Sequence, residues 1–334
     1  MNKIIYDGII SSLQAHGGVT VYYKELLRRL NPDIFKVFEY DNVKSRLSDN
    51  SIILQARTFE RYRDCVFPAV ESEIFHSTYY RLPEKKKEKI ITTVHDFTYE
   101  KYMKGFKKYI HTWQKYRAIR NSNKIICVSR STANDLLYYC DVEPHKIEVI
   151  YNGVSDNYYI IDQNKSSNNY VVFIGARAGY KNFDKAVEAV AMTKDLKLIV
   201  VGGGSILPTE RKFLDEKLNG RYTIAGVLSD AELNKVYNEA YCLLYPSEYE
   251  GFGIPVLEAM KSGCPVIAVN RSSIPEVAGD AAVLVDDTDK RYLFHALLDV
   301  ETNRSELRRL GKIQSSNFSW DKCYKQTMSI YNAM

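Results

Sequence analysis

Short apolar runs recur along the whole chain with helix-length segments between them, and this alternation restricts the fold more than any other feature. In the first half the runs fall at 3–6, 36–39, 51–54, 74–76, 89–94, 124–128 and 148–150, with helical spacing over 106–121 and 131–139. A second series opens at 170–175 and continues at 197–201, 222–225, 242–245, 265–269 and 282–285. Strand alternating with helix reads as an α/β chain with largely parallel sheets, whose ligands sit at the carboxyl ends of the strands. The 334 residues exceed what one hydrophobic core usually serves, so two domains are expected. Residues 155–169 are polar without an apolar period and read as the interdomain linker, giving domains at 1–160 and 168–319.

Composition removes several classes of protein. With 45% hydrophobic and 26% charged residues the chain has an ordinary globular balance. Its first residues carry one lysine and an apolar run broken by Tyr6, Asp7 and Gly8, which suits neither a signal peptide nor a membrane span, so a cytoplasmic location is expected. The six cysteines form no Cys-x-x-Cys pair and read as reduced, and the six histidines show no metal-ligand spacing. Asp287-Thr288-Asp289 fits a metal on a nucleotide or a simple helix cap. Net charge is +5, concentrated between Arg81 and Arg130, where about fourteen cations face four acids and alternate with aromatic residues such as Tyr109 and Trp113. Such a region attracts anionic lipid or nucleic acid, or forms a solvated helix face with its aromatics turned inward.

The stretch Glu250-Gly-Phe-Gly-Ile-Pro-Val-Leu-Glu258 carries the densest chemistry. Gly251, Gly253 and Pro255 argue for a flexible loop entering a helix, with Glu250 on the loop and Glu258 in the helix's first turn. A glycine-lined loop at a helix N-terminus can take an anion or a ribose; a surface loop with a dipole-favoured Glu is the plain alternative. Arg177 and Lys181 flank a glycine-containing loop before another helix, a pairing suited to a diphosphate or to two solvated cations. Gly17-Gly18 precede a helix with one apolar face, and His95-Asp96 follow the run at 89–94, where a histidine is structural or catalytic. Gly202-Gly203-Gly204 read as a turn, and Ser229 with Glu232 as a capping box.

Taken together and in this order, these motifs resemble glycosyltransferase family 4. The resemblance spans nearly the whole chain and includes Val128-Ser129-Arg130-Ser131, Tyr151-Asn152-Gly153-Val154, Pro275-Glu276-Val277-Ala278-Gly279-Asp280 and Phe318-Ser319-Trp320. It implies a GT-B fold, two Rossmann-like doubly wound domains facing a central cleft, with the C-terminal helix at about 320–334 packing back on the N-terminal domain. It also implies a retaining, metal-independent hexosyltransferase with no cofactor. In that scheme Arg177 and Lys181 hold the donor diphosphate and Glu258 the ribose, while Glu250, Gly251, Phe252, Gly253 and Ile254 contact the donor sugar. Main chain at Gly226 and Val227 meets the base, His95 lies near the transferred sugar, and Gly17 and Gly18 approach the diphosphate or the acceptor. The short spacing between Arg177 and Lys181 resembles bacterial surface-polysaccharide transferases. That favours a GDP-mannose donor, with a UDP-sugar next, and a saccharide acceptor, lipid-linked, in O-antigen or lipopolysaccharide synthesis. The expected partners are these substrates and, through the basic 81–130 region, the inner face of the cytoplasmic membrane, with no nucleic acid. A nucleotide-sugar epimerase of the same fold and a non-enzymatic basic binding protein are the competing readings.

Overall fold

The computed structural model describes residues 3–15, 17–68, 72–85, 88–162, 168–177 and 179–334. Residue 16 of the Gly17-Gly18 loop, residue 178 between the two cations and 163–167 of the expected linker lie outside the described residues. The chain divides into two compact units, 1–153 with 320–334, and 154–319.

The first unit holds β1 (Ile4–Asp7), β2 (Phe35–Tyr40), β3 (Ile52–Leu54), β4 (Ile74–Ser77), β5 (Lys89–Val94), β6 (Lys124–Cys127) and β7 (Ile147–Val149). They form one sheet in the order β3-β2-β1-β4-β5-β6-β7, and the pairings are parallel. Central strands such as β1 and β4 are buried throughout, because helices cover both faces of a parallel sheet and each backbone polar group is paired within it. The helix Trp320–Ala333 belongs to this unit. Its Tyr331 hydroxyl lies 2.7 Å from both the Tyr6 hydroxyl and His76 Nδ1, and Asp321 pairs with Arg29 at 2.5 Å.

The second unit holds β8 (Tyr170–Ile174), β9 (Lys197–Val201), β10 (Tyr222–Gly226), β11 (Cys242–Tyr245), β12 (Val266–Val269) and β13 (Val283–Val285), parallel in the order β10-β9-β8-β11-β12-β13. Helix Phe183–Ala191 turns Phe183, Ala186, Val187 and Val190 onto the sheet at the spacing of one helix face. Ser229 and Glu232 form the expected capping box, and Asp289 caps the helix Lys290–Ser316, which accounts for the Asp-Thr-Asp stretch. All six cysteines are buried free thiols. Both units are therefore doubly wound α/β layers.

The boundary near 160 is corrected. Residues 154–160 fall with the second unit because their polar groups are fastened to helix Asp230–Glu239: Asn157 Nδ2 donates to Asp230 and the Tyr159 amide to Asn234 Oδ1. The described part of the polar stretch is thus bonded surface on that unit. Polarity here reflects side-chain pairing, which a lack of apolar period cannot distinguish from a linker.

Candidate active site

The second sheet reverses its winding between β8 and β11, and in open parallel sheets such a switch point opens a crevice beyond the strand ends. The chain leaving β8 brings Arg177 and Lys181, and the chain leaving β11 brings Glu250. These segments meet. Lys181 Nζ forms an ion pair with Glu250 and lies 3.3 Å from the Tyr245 hydroxyl at the end of β11. The Glu248 amide donates to the Tyr180 carbonyl at 2.9 Å, and Asn182 Nδ2 donates to the Pro246 carbonyl at 3.0 Å.

The loop after Glu250 is not the flexible one expected. Residues 251–253 are buried, and the Ser273 hydroxyl lies 2.9 Å and 3.0 Å from the carbonyls of Glu250 and Phe252. The Glu250 amide donates to Ser272 Oγ at 2.9 Å. Ser272 and Asn182 both adopt left-handed backbone, at φ 52° and 50°. Non-glycine residues in that region are strained and persist where the surroundings hold them, which is the case for both sides of this site. Gly253 stands at φ 98°, a conformation that residues with a side chain rarely adopt, and a Cβ there would press on Ile274 Cδ1 at 2.8 Å.

Glu258 is also displaced from its expected place. The left-handed Gly253 lets the helix begin at Ile254, so in Ile254–Lys261 Glu258 stands beyond the first turn, which contains no acid. Burial, reinforced by the Asp230 charge, pushes its carboxyl up to about 8, against the opposing hydroxyls of Tyr158 and Tyr237.

Arg177 does not join the Lys181–Glu250 pair. Its Nε donates to Glu210 at 2.9 Å, Nη1 to the Gly202 carbonyl at 3.2 Å, and Nη2 to the Ser205 and Gly204 carbonyls at 2.8 and 3.4 Å. Four of the five guanidinium N–H groups are engaged in this way. The three glycines after β9 are left-handed, and at Gly203 a side chain would collide with Arg177 Nη1. The glycine turn is therefore the socket of Arg177. Gly226, at φ 68°, ends β10, and the following Val227 is 67% exposed.

The remaining expected residues belong to the first unit. His95 follows β5, its ring edge-on to Tyr22 with centroids 5.1 Å apart. Its buried Nε2 has no hydrogen-bond partner among the described residues, and burial lowers its pKa to about 4, so the ring is neutral near pH 7. Tyr22 lies on helix Gly18–Leu27, whose N-cap is Gly17, at φ 151°. Sequence reasoning missed Tyr245, Ser272, Ser273 and Glu210. The first three stand at or just beyond strand ends, the criterion that singled out His95; Glu210 gave no such signal. Among the described residues no three His, Cys, Asp or Glu side chains gather as a metal-ligand set.

Two family models match consecutive parts of the chain, "Glycosyltransferase Family 4" over 64–158 and "Glycosyl transferases group 1" over 159–315. This chain is a family 4 glycosyltransferase. An uncharacterized glycosyltransferase of Methanocaldococcus jannaschii is 27% identical over 95% of each chain. The O-antigen chain mannosyltransferase RfbU of Salmonella typhimurium is 29% identical over 67% of this glycosyltransferase and 64% of its own length. Among solved structures, Anabaena HepE in complex with UDP and glucose superposes with a TM-score of 0.77 at 14% identity over 100% of both chains. That likeness carries the fold alone, and the fold of the transferase is GT-B.

Proposed function

We propose that this glycosyltransferase moves mannose from GDP-mannose, with retention, to a lipid-linked saccharide in surface-polysaccharide synthesis. The observation that carries the donor site is the Lys181–Glu250 pair at the switch point of the second sheet, beside the clamped loop 251–253. Breaking the bond between the sugar carbon and the donor phosphate builds negative charge on the leaving diphosphate. Lys181 supplies a fixed positive charge for it, and the last Nη1 hydrogen of Arg177 adds a second contact, so the protein's own cations take up the charge without a metal. Glu250, released from Lys181 by the phosphate, accepts hydrogen bonds from the sugar hydroxyls, with the backbone of Gly251, Phe252, Gly253 and Ile254 beside it. Glu258 accepts from the ribose, and Gly226 with Val227 meets the base. The acceptor hydroxyl attacks on the face the diphosphate leaves, and its proton passes to a leaving phosphate oxygen. In the first unit His95 Nε2, buried and without a hydrogen-bond partner among the described residues, and Gly17-Gly18 are assigned to substrate binding. Mannose and the polysaccharide setting rest on the similarity to the Salmonella O-antigen chain mannosyltransferase.

The test is nucleoside diphosphate release from a panel of guanosine, uridine, adenosine and thymidine diphosphate sugars, with product analysis. Release from GDP-mannose with an α-linked product is expected, and Lys181→Ala should lower turnover by about 100-fold or more. Full activity of that variant, or conversion of the donor sugar without an acceptor, would overturn the assignment.

A further inference from the structure

We infer that the helix Phe106–Arg120, with the loop fastened beside it, is a docking surface for an anionic lipid bilayer. The helix places Phe106, Tyr109 and Trp113 in the open, 77%, 71% and 61% exposed. At about 100° per residue these three fall within an arc of about 60°, on the side opposite the buried His111, Lys115 and Ala118. The aromatics are therefore turned outward, and the alternative of a solvated face with its rings in the core does not hold for this helix. Large rings left in water on one helix face suit the headgroup boundary of a membrane, where the apolar body is buried and the polar edge stays wet.

Charge on the same segment selects the lipid. From 101 to 134 the chain has nine lysines and arginines and no aspartate or glutamate. Lys104 and Lys107 are exposed at the start of the helix, and Arg120 is exposed at its end. Of the nine, Lys101, Lys115, Arg117 and Lys124 are paired with Asp135, Glu100, Asp64 and Glu148, and the exposed Lys104, Lys107 and Arg120, with the aromatics between them, are complementary to phosphate headgroups.

An independent feature of the adjoining loop points the same way. Gln114 Nε2 donates to the Arg61 carbonyl at 2.7 Å, and Arg117 grips Asp64 through two bonds of 2.5 and 2.6 Å, tying residues 61–64 to the helix over the turn that follows Trp113. In this loop Phe59 is 73% exposed and held in left-handed backbone at φ 59°. A bulky residue kept in a strained conformation and presented to solvent is costly for folding alone. It adds an apolar wedge to the surface.

The experiment uses the full chain and phosphatidylcholine vesicles with and without phosphatidylglycerol. Of the two tryptophans, Trp320 is 3% exposed, so an emission shift on vesicle binding reports Trp113. A blue shift and co-sedimentation with the anionic vesicles, weakened by salt, are expected. Phe106→Ser with Lys107→Glu should weaken partitioning about tenfold or more while melting temperature and turnover on a soluble acceptor stay unchanged. Unaltered binding by that variant, equal binding to neutral vesicles, or a Trp113 shift produced by polynucleotide and not by vesicles would overturn the inference. Vesicle binding and donor turnover are separate readouts, so failure of one leaves the other standing.

Discussion

Replacing Glu258 by glutamine should stabilise the protein in alkaline buffer and weaken donor binding. The folded carboxyl titrates at about 8, against 4.5 for the ordinary side chain. Between those values the folded state keeps a proton that the unfolded chain has released. The stability contributed by the raised pKa is therefore fully present below 4.5, falls as pH rises, and is gone above 8. Integrated at about 1.36 kcal/mol per pH unit the whole window amounts to about 5 kcal/mol. The side chain retains some solvent contact, which reduces the expected difference to about 1–2 kcal/mol. Glutamine does not titrate. The melting temperatures of wild type and Glu258→Gln should thus converge near pH 5 and separate by a few degrees above pH 8, the variant being the more stable. Ribose hydroxyls stabilise the carboxylate, so donor binding should release a proton in wild type, detectable as a buffer-dependent binding enthalpy. Loss of hydrogen bonds to a charged acceptor should weaken nucleoside diphosphate binding by about 10–100-fold. Parallel curves of melting temperature against pH for the two proteins would refute the reasoning, because the burial of this carboxyl would then carry no free energy.

Gly203→Ala places a methyl group against Arg177 Nη1 at a backbone angle of 76°, and should lower stability by about 1–3 kcal/mol in a denaturant titration, with donor affinity falling alongside. Tyr331→Phe removes the hydroxyl that lies 2.7 Å from both Tyr6 and His76. Leaving two buried polar groups short of a partner should destabilise the first unit by about 1–3 kcal/mol, measured by chemical denaturation, while nucleotide binding to the second unit is unchanged.

The strands were legible because each apolar run is a local signal. The runs at 89–94, 197–201 and 242–245 coincide with β5, β9 and β11, and the rest differ at their ends by a residue or two. The capping box of Ser229 was readable for the same reason, since donor and acceptor lie within one turn. The reading of Glu250 and its loop depended on residues far along the chain. Ser272 and Ser273 reach it from beyond β12, and their hydroxyls replace flexibility with a clamp. Arg177 shows the same limit, since its partners lie on the turn after β9 and on Glu210.

By itself the sequence determined the order of strands and helices, the doubling of the α/β pattern, and the residue types at the strand ends. Side-chain periodicity and glycine or proline geometry act over a few residues, and they need no knowledge of the whole. Only the tertiary structure decided which cation meets which carboxylate, where the chain passes from one unit to the other, how far burial raises Glu258, and that Trp113 faces outward. Each of these depends on the distance and the solvent left between groups remote in sequence, and both are set when the sheets close against their helices.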